Sequence, residues 1–205
     1  HVAGKTIAEL EAEIAGEMAA DAVAGATLVD NAGYIGVIIE AAKAAQAQEA
    51  VVYEGSLDAL TLKYGLGAAH GTKCFAEVAV LTDGTNVVLA YIDEYQFMSG
   101  DELISVPNAE NYVASLAEGV KLVSKRVDTA VYSKNMADKA GSTVAIDKNY
   151  DAIQAHVAGK TIAELEAEIA GEMAADAVAG ATLVDNAGYI AVIIDAAKAA
   201  QNATA

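Results

Sequence analysis

The chain has 205 residues, 55% hydrophobic and 20% charged, a composition that builds a packed core and excludes an intrinsically disordered chain. Lys and Arg number 12 against 29 Asp and Glu, for a net charge of −17. That balance excludes nucleic acid as a partner, because phosphate binding needs clustered bases and the longest cluster here is Lys125-Arg126. Cys74 is the single cysteine, so there is no internal disulfide or thiolate cluster, and its place in an alternating apolar run predicts a small buried hydrophobe. Asp21, Asp30 and Glu40 interrupt the most apolar region well short of the ~20 residues of a membrane span.

In chain order, residues 1–46 return as residues 156–201 at an offset of 155, with two of the 46 positions changed: Gly36 against Ala191 and Glu40 against Asp195. One period has the size of a domain, which predicts a tandem array. His1 corresponds to His156, which lies inside "DKNYDAIQAHVAG", a predicted helix capped by Asp147. The chain therefore reads as opening in mid-helix, a cut or partial piece of a longer protein. Residues 1–46 read as the helical end of a preceding repeat, 47–201 as one complete domain and 202–205 as a tail or the start of a linker.

Within 47–201, "SLDALTLKYG" (56–65) predicts a strand. "KCFAEVAVLT" (73–82) and "NVVLAYIDEY" (86–95) predict a hairpin around Asp83-Gly84. Residues 106–125 are ambiguous between helix and irregular structure. "TAVYSKNMADKAG" (129–141) predicts a helix with Gly141 at its C-cap. In "KTIAELEAEIAG" (160–171), Thr161 and Glu164 form a capping box, Ile162, Leu165 and Ile169 line one face, and Gly171 stops the helix. Residues 185–201 form an Ala-rich helix, apolar nearly all round and hence deeply buried. Strands first and helices after predict an α+β fold, an antiparallel sheet packed by C-terminal helices.

"YGLGAAHG" (64–71) falls short of a dinucleotide fingerprint: His70 stands where the third Gly should be, and a strand follows where a helix is needed. Gly65, Gly67 and Gly71 are a flexible connection, or let backbone approach a planar ligand. His70 has no partner His or Cys in the sequence pattern, so no metal site is expected, and no catalytic residues stand out. In "YIDEYQFM" (91–98), period 2 puts Tyr91, Asp93 and Tyr95 on one face and Ile92, Glu94 and Gln96 on the other. The segment is an ordinary strand end, or an aromatic and acidic cleft wall. "DAVAGATLVD" occurs at 21–30 and again at 176–185. Thr182 stands just ahead of a helix, where its hydroxyl can cap or where an attached phosphate would meet free N–H groups, and Gly180 and Ala181 leave room beside it.

Asp176-Ala-Val-Ala-Gly180-Ala181-Thr182 resembles the flavinylation motif D-x-x-x-(S/G)-A-(T/S) of FMN-binding domains, found in subunits of sodium-pumping NADH:quinone reductase and Rnf complexes and in lipoproteins of extracellular electron transfer. "YGLGAAHG", "AYIDEYQFM", "LVSKRV", "YSKNMADKAGS" and "GKTIAELEAEIAG" resemble the lipoprotein branch in the same order, so the resemblance covers roughly residues 50–201 and again 1–46. Ala179 and Ala24 depart from the small polar residue that many members carry. The resemblance implies FMN esterified by a flavin transferase to Thr182 and Thr27, with Asp176 and Asp21 as motif acids beside Gly180, Ala181, Gly25 and Ala26. It implies an extracellular or cell-surface electron carrier, taking electrons from a membrane quinol-linked donor and passing them to an extracellular acceptor. His70 and Tyr95 are the expected ring neighbours. A structural surface repeat or filament subunit, with head-to-tail association through residues 1–46, is the alternative, and a reductase module with a specific organic acceptor is a third.

Overall fold

The computed structural model describes residues 1–48, 51–107, 117–174 and 176–199. The chain divides into two units, His1–Val52 and Tyr53–Ala205.

The first unit is a helix pair, α1 (Ile7–Ile14) and α2 (Asn31–Gln46). Thr6 and Glu9 close a capping box at the start of α1. Its core is small: Leu10, Ile35 and Ile39, with Ile7, Ile14, Met18 and Val23 packed around them.

The second unit opens on a 3-10 turn (Leu57–Ala59) and continues as β1 (Thr61–Gly67), β2 (Cys74–Thr82), β3 (Val87–Ser99) and β4 (Val120–Ser124). The four strands form an antiparallel sheet in the order β1-β2-β3-β4. Then come α3 (Thr129–Ala140), α4 (Ile146–Val157), α5 (Ile162–Ile169) and α6 (Asn186–Lys198). The α+β class and antiparallel sheet agree with the sequence expectation.

The hairpin turn is built by side chains. Asp83 Oδ1 accepts from the backbone N–H of Thr85 (2.9 Å) and Asn86 (2.7 Å), and Gly84 takes the left-handed φ of +89°. The side-chain hydrogen bond from Asn86, with the backbone donors, holds the Asp83 carboxyl down at about 2.

Inward residues of the strands (Ala76, Val78, Val80, Val87, Ile92) meet Ile146, Tyr150 and Ile153 of α4, Leu165 of α5 and Tyr189, Ile190 and Ile193 of α6 in one core. Residues of α6 are buried on several sides, as its nearly all-apolar sequence requires.

Several expectations change. The first strand begins at Thr61 and reaches Gly67, so Gly65 and Gly67 are strand residues. A Cβ on Gly65 would stand 2.8 Å from Ala196 Cβ, and one on Gly67 2.7 Å from Val192 Cγ2. These glycines let α6 pack closely on the sheet rather than admit a ligand. The third strand extends to Ser99. Of the ambiguous stretch, 120–124 is strand, while 108–116 lies outside the described residues. Ala145, not Asp147, is the N-cap of α4; Asp147 accepts from Thr129 Oγ1 at 2.9 Å instead. Helix α5 ends at Ile169 with Ala170 as its C-cap, ahead of Gly171. Gly141 caps α3 in the left-handed conformation and Thr161–Glu164 is a capping box, both as expected.

Candidate functional site

Thr182 sits on the loop between α5 and α6. Gly180 holds φ +86°, a conformation that favours glycine, and Ala181 is buried against the core. The backbone N–H of Thr182 donates to Asn149 Oδ1 at 2.7 Å, while Asn149 Nδ2 donates to the carbonyls of Val144 and Ala145. The loop is therefore clamped to the start of α4. The N-cap of α6 is Asp185, and the Thr182 hydroxyl does not cap the helix as the sequence suggested. It lies 3.4 Å from Ser142 Oγ and 3.5 Å from Asn149 Oδ1, exposed at the edge of a cavity.

That cavity measures about 320 Å³. One wall is the loop 182–185 with Tyr189; another is Tyr132, Met136 and the turn 140–143 after α3; His70 and Lys125 come from the sheet side. Apolar and aromatic surface with a few polar groups at fixed places is the make-up of a small-molecule site, and the volume falls in the ~300–1,000 Å³ range of such sites.

Behind this wall is a buried charge network. Glu94, on the inward face of β3, is fully buried and pairs with Lys125, which is 1% exposed and hydrogen-bonds Glu94 Oε2 through Nζ. Tyr189 OH donates to the same oxygen at 2.7 Å, and Tyr150 OH stands 3.5 Å from it. His70 Nδ1 lies 3.7 Å from Glu94 Oε2 and 3.4 Å from Lys125 Nζ, and the Lys125 ammonium lies 4.4 Å from the Tyr132 ring centroid. Burial pushes the Glu94 carboxyl up, but His70, Lys125 and Tyr189 outweigh it, and the group settles at about 2. Burial raises both the Tyr150 and the Tyr189 hydroxyl well above their ordinary value, so both remain protonated donors.

The fold gives His70 the cysteine neighbour that the sequence pattern did not show. Cys74 Sγ lies 3.4 Å from His70 Nδ1 and hydrogen-bonds the His70 carbonyl, and His70, Cys74 and Glu94 offer ligand atoms within 4.8 Å of one another. The Lys125 ammonium already occupies this corner, so a divalent cation would meet positive charge there. Burial and the Glu94 charge push the Cys74 thiol up to about 11, away from the thiolate that metals need.

No protein-family model, curated protein or solved structure matches this chain.

Among the sequence candidates, the fold brings Thr182 and His70 to one cavity and sets Gly180 and Ala181 in the loop that carries Thr182. Asp176 is exposed. Tyr95 is not brought there. It stacks on Phe75 with ring centroids 5.3 Å apart and lines a separate cleft with Tyr91, Asp93 and Ile104. The alternation sets Tyr95 and Glu94 on opposite faces, and Glu94 is on the inward face, behind the cavity wall. In the first unit Thr27, Asp21 and Gly25 are exposed and Ala26 is half-buried; Gly25 repeats the φ of Gly180 at +83°. The counterparts of Asn149, Lys125, Tyr132 and His70 lie outside the 46 duplicated residues.

Sequence reasoning missed Lys125, Glu94, Tyr132 and Tyr189. The signals available were a Lys directly after a short apolar strand and a Glu on the inward register of another strand; neither pairs until the sheet forms.

Proposed function

We propose that the second unit is a covalent flavin carrier, with FMN joined through its phosphate to Thr182, and that the protein is an electron-transfer component at the cell surface. The observation that carries this reading is the place of the Thr182 hydroxyl, exposed at the edge of a cavity of about 320 Å³ whose walls include Tyr132, Met136 and Tyr189. The residues present fit such a group. A planar ring needs apolar and aromatic walls, and its phosphate needs an accessible hydroxyl on a loop held in place, which Asn149 and Gly180 supply.

The tether forms when Thr182 Oγ1 attacks the FMN-side phosphorus of FAD on the flavin transferase. A new P–O bond replaces the one to AMP, AMP leaves, and the hydroxyl proton passes to solvent. Flavin supplies the redox chemistry, and the chain's part is to bind, orient and shield it. Met136, Ile146 and Leu183 exclude water, while His70 and Lys125 present polar atoms to one side. Thr27 has the same motif, with Gly25 in the same left-handed conformation as Gly180, and is the second acceptor. The donor is a membrane quinol-linked protein and the acceptor an extracellular oxidant.

The test is peptide mass spectrometry on protein made in cells that contain the transferase. The peptide spanning 172–198 is expected heavier by FMN less one water, and Thr182→Ala should abolish the addition while Thr182→Ser retains it. An unmodified peptide at full occupancy sinks the reading.

A further inference from the structure

We infer that Lys125 is the residue that sets the reduction potential of the ring in the Thr182 cavity, by facing the negative charge that reduction adds. This rests on the flavin reading above. Lys125 is buried, yet it forms part of the cavity wall. Its position is fixed three ways: the side chain pairs with Glu94, the ammonium rests on the Tyr132 ring, and its backbone N–H donates to the Glu94 carbonyl at 2.9 Å. Glu94 is not on the cavity wall. It lies behind Lys125 and is held by Tyr189 and Tyr150. The ion pair is thus oriented, with its positive end toward the cavity.

Two electrons from the donor and one proton from solvent turn a neutral flavin ring into an anionic reduced one, a net gain of one negative charge. A fixed ammonium that is itself withdrawn from solvent stabilises that charge more than it stabilises the neutral ring, and so raises the potential. The other charged or titratable groups on the wall are His70, Asp185, Tyr132 and Tyr189. His70 Nε2 and Asp185 Oδ2 lie 4.0 Å apart, and both groups are about one-third exposed. Lys125 is the one Lys or Arg among the described lining residues.

The experiment is spectroelectrochemical titration of the flavinylated full chain and its variants, after mass spectrometry has shown the flavin attached. Lys125→Met should shift the ratio of reduced to oxidised flavin at least tenfold toward oxidised, a fall of about 30 mV for a two-electron couple. Glu94→Gln, which removes the countercharge and keeps the ammonium, should move the potential the other way. A merely structural role would lower stability in both variants without opposite shifts in potential. If Lys125→Met does not fold, the double variant Lys125→Gln with Glu94→Gln leaves no unpaired buried charge and should have a lower potential than Glu94→Gln alone. Potentials that change less than twofold in that ratio, or move in the same direction for both single variants, overturn the assignment of Lys125 while leaving the flavin reading intact. Absence of any flavin mass overturns both.

Discussion

The hydroxyl of Tyr189 donates to Glu94 Oε2 across 2.7 Å, joining the first turn of α6 to the middle of β3 although the two residues are 95 apart in sequence. The contact lies directly behind the Thr182 cavity, because Tyr189 is also part of the cavity wall. Helix docking and the arrangement of charge at the site are therefore one structural event. Tyr189→Phe keeps the ring and removes the donor from a buried carboxylate. The expected loss is about 1.5–3 kcal/mol, read by urea unfolding of the unflavinylated chain.

Glu94 also predicts an acid response. Its folded-state value of about 2 lies below its ordinary 4.5, so the unfolded chain takes up the proton first as pH falls. Its stabilising contribution is complete above pH 4.5 and is lost as pH falls toward 2. In wild type, stability should decline across that window. Glu94→Gln should be less stable at neutral pH and show a flatter profile between those values, measured as urea midpoints at each pH.

Close packing of α6 on β1 sets a third expectation. Gly67→Ala places a methyl 2.7 Å from Val192 Cγ2, with no room to spare on the helix side. Overpacking of this kind costs about 1–3 kcal/mol. Thermal unfolding should show a lower midpoint for Gly67→Ala. The further change Val192→Ala should recover part of the loss, since it removes the methyl groups that clash.

Cys74 should be slow to react. With its thiol pushed up to about 11 and hydrogen-bonded to the His70 carbonyl, little thiolate is present at neutral pH. Iodoacetamide labelling of the folded chain should be much slower than labelling in urea. Equal rates would show that the thiol is neither shielded nor engaged.

The duplicated helix offers a paired experiment. Val192 is 6% exposed against the sheet, whereas its counterpart Val37 is 71% exposed. Val192→Asp should cost about 3–5 kcal/mol as an uncompensated buried charge. Val37→Asp should stay within about 0.5 kcal/mol, as an exposed surface change. A large effect of Val37→Asp would mean that the first helix pair is covered in solution. Head-to-tail association through residues 1–46 is one such cover, and light scattering of wild type and Val37→Asp at matched concentration tests for it.

The duplication also separates what the residues dictate locally from what the fold decides. Both copies form the same capping box, Thr6 with Glu9 and Thr161 with Glu164, and the same left-handed glycine, Gly25 and Gly180. The capping box depends on groups within a few residues of one another, so sequence alone was enough to read it, whereas Gly180 read only as room beside Thr182 and its left-handed conformation came with the structure. The hairpin at Asp83-Gly84 and the cap at Gly141 were legible for the same reason. The burial expected of the apolar helix holds in one copy and not in the other: Tyr34 is 62% exposed and Tyr189 is 2% exposed in nearly identical local sequence, because Tyr189 packs in the core against the sheet. The motif Thr was legible, but its cavity was not. Lys125, Glu94 and Tyr132 come from three separate elements, and which strand face turns inward, and what waits there, is set by packing between residues distant in sequence.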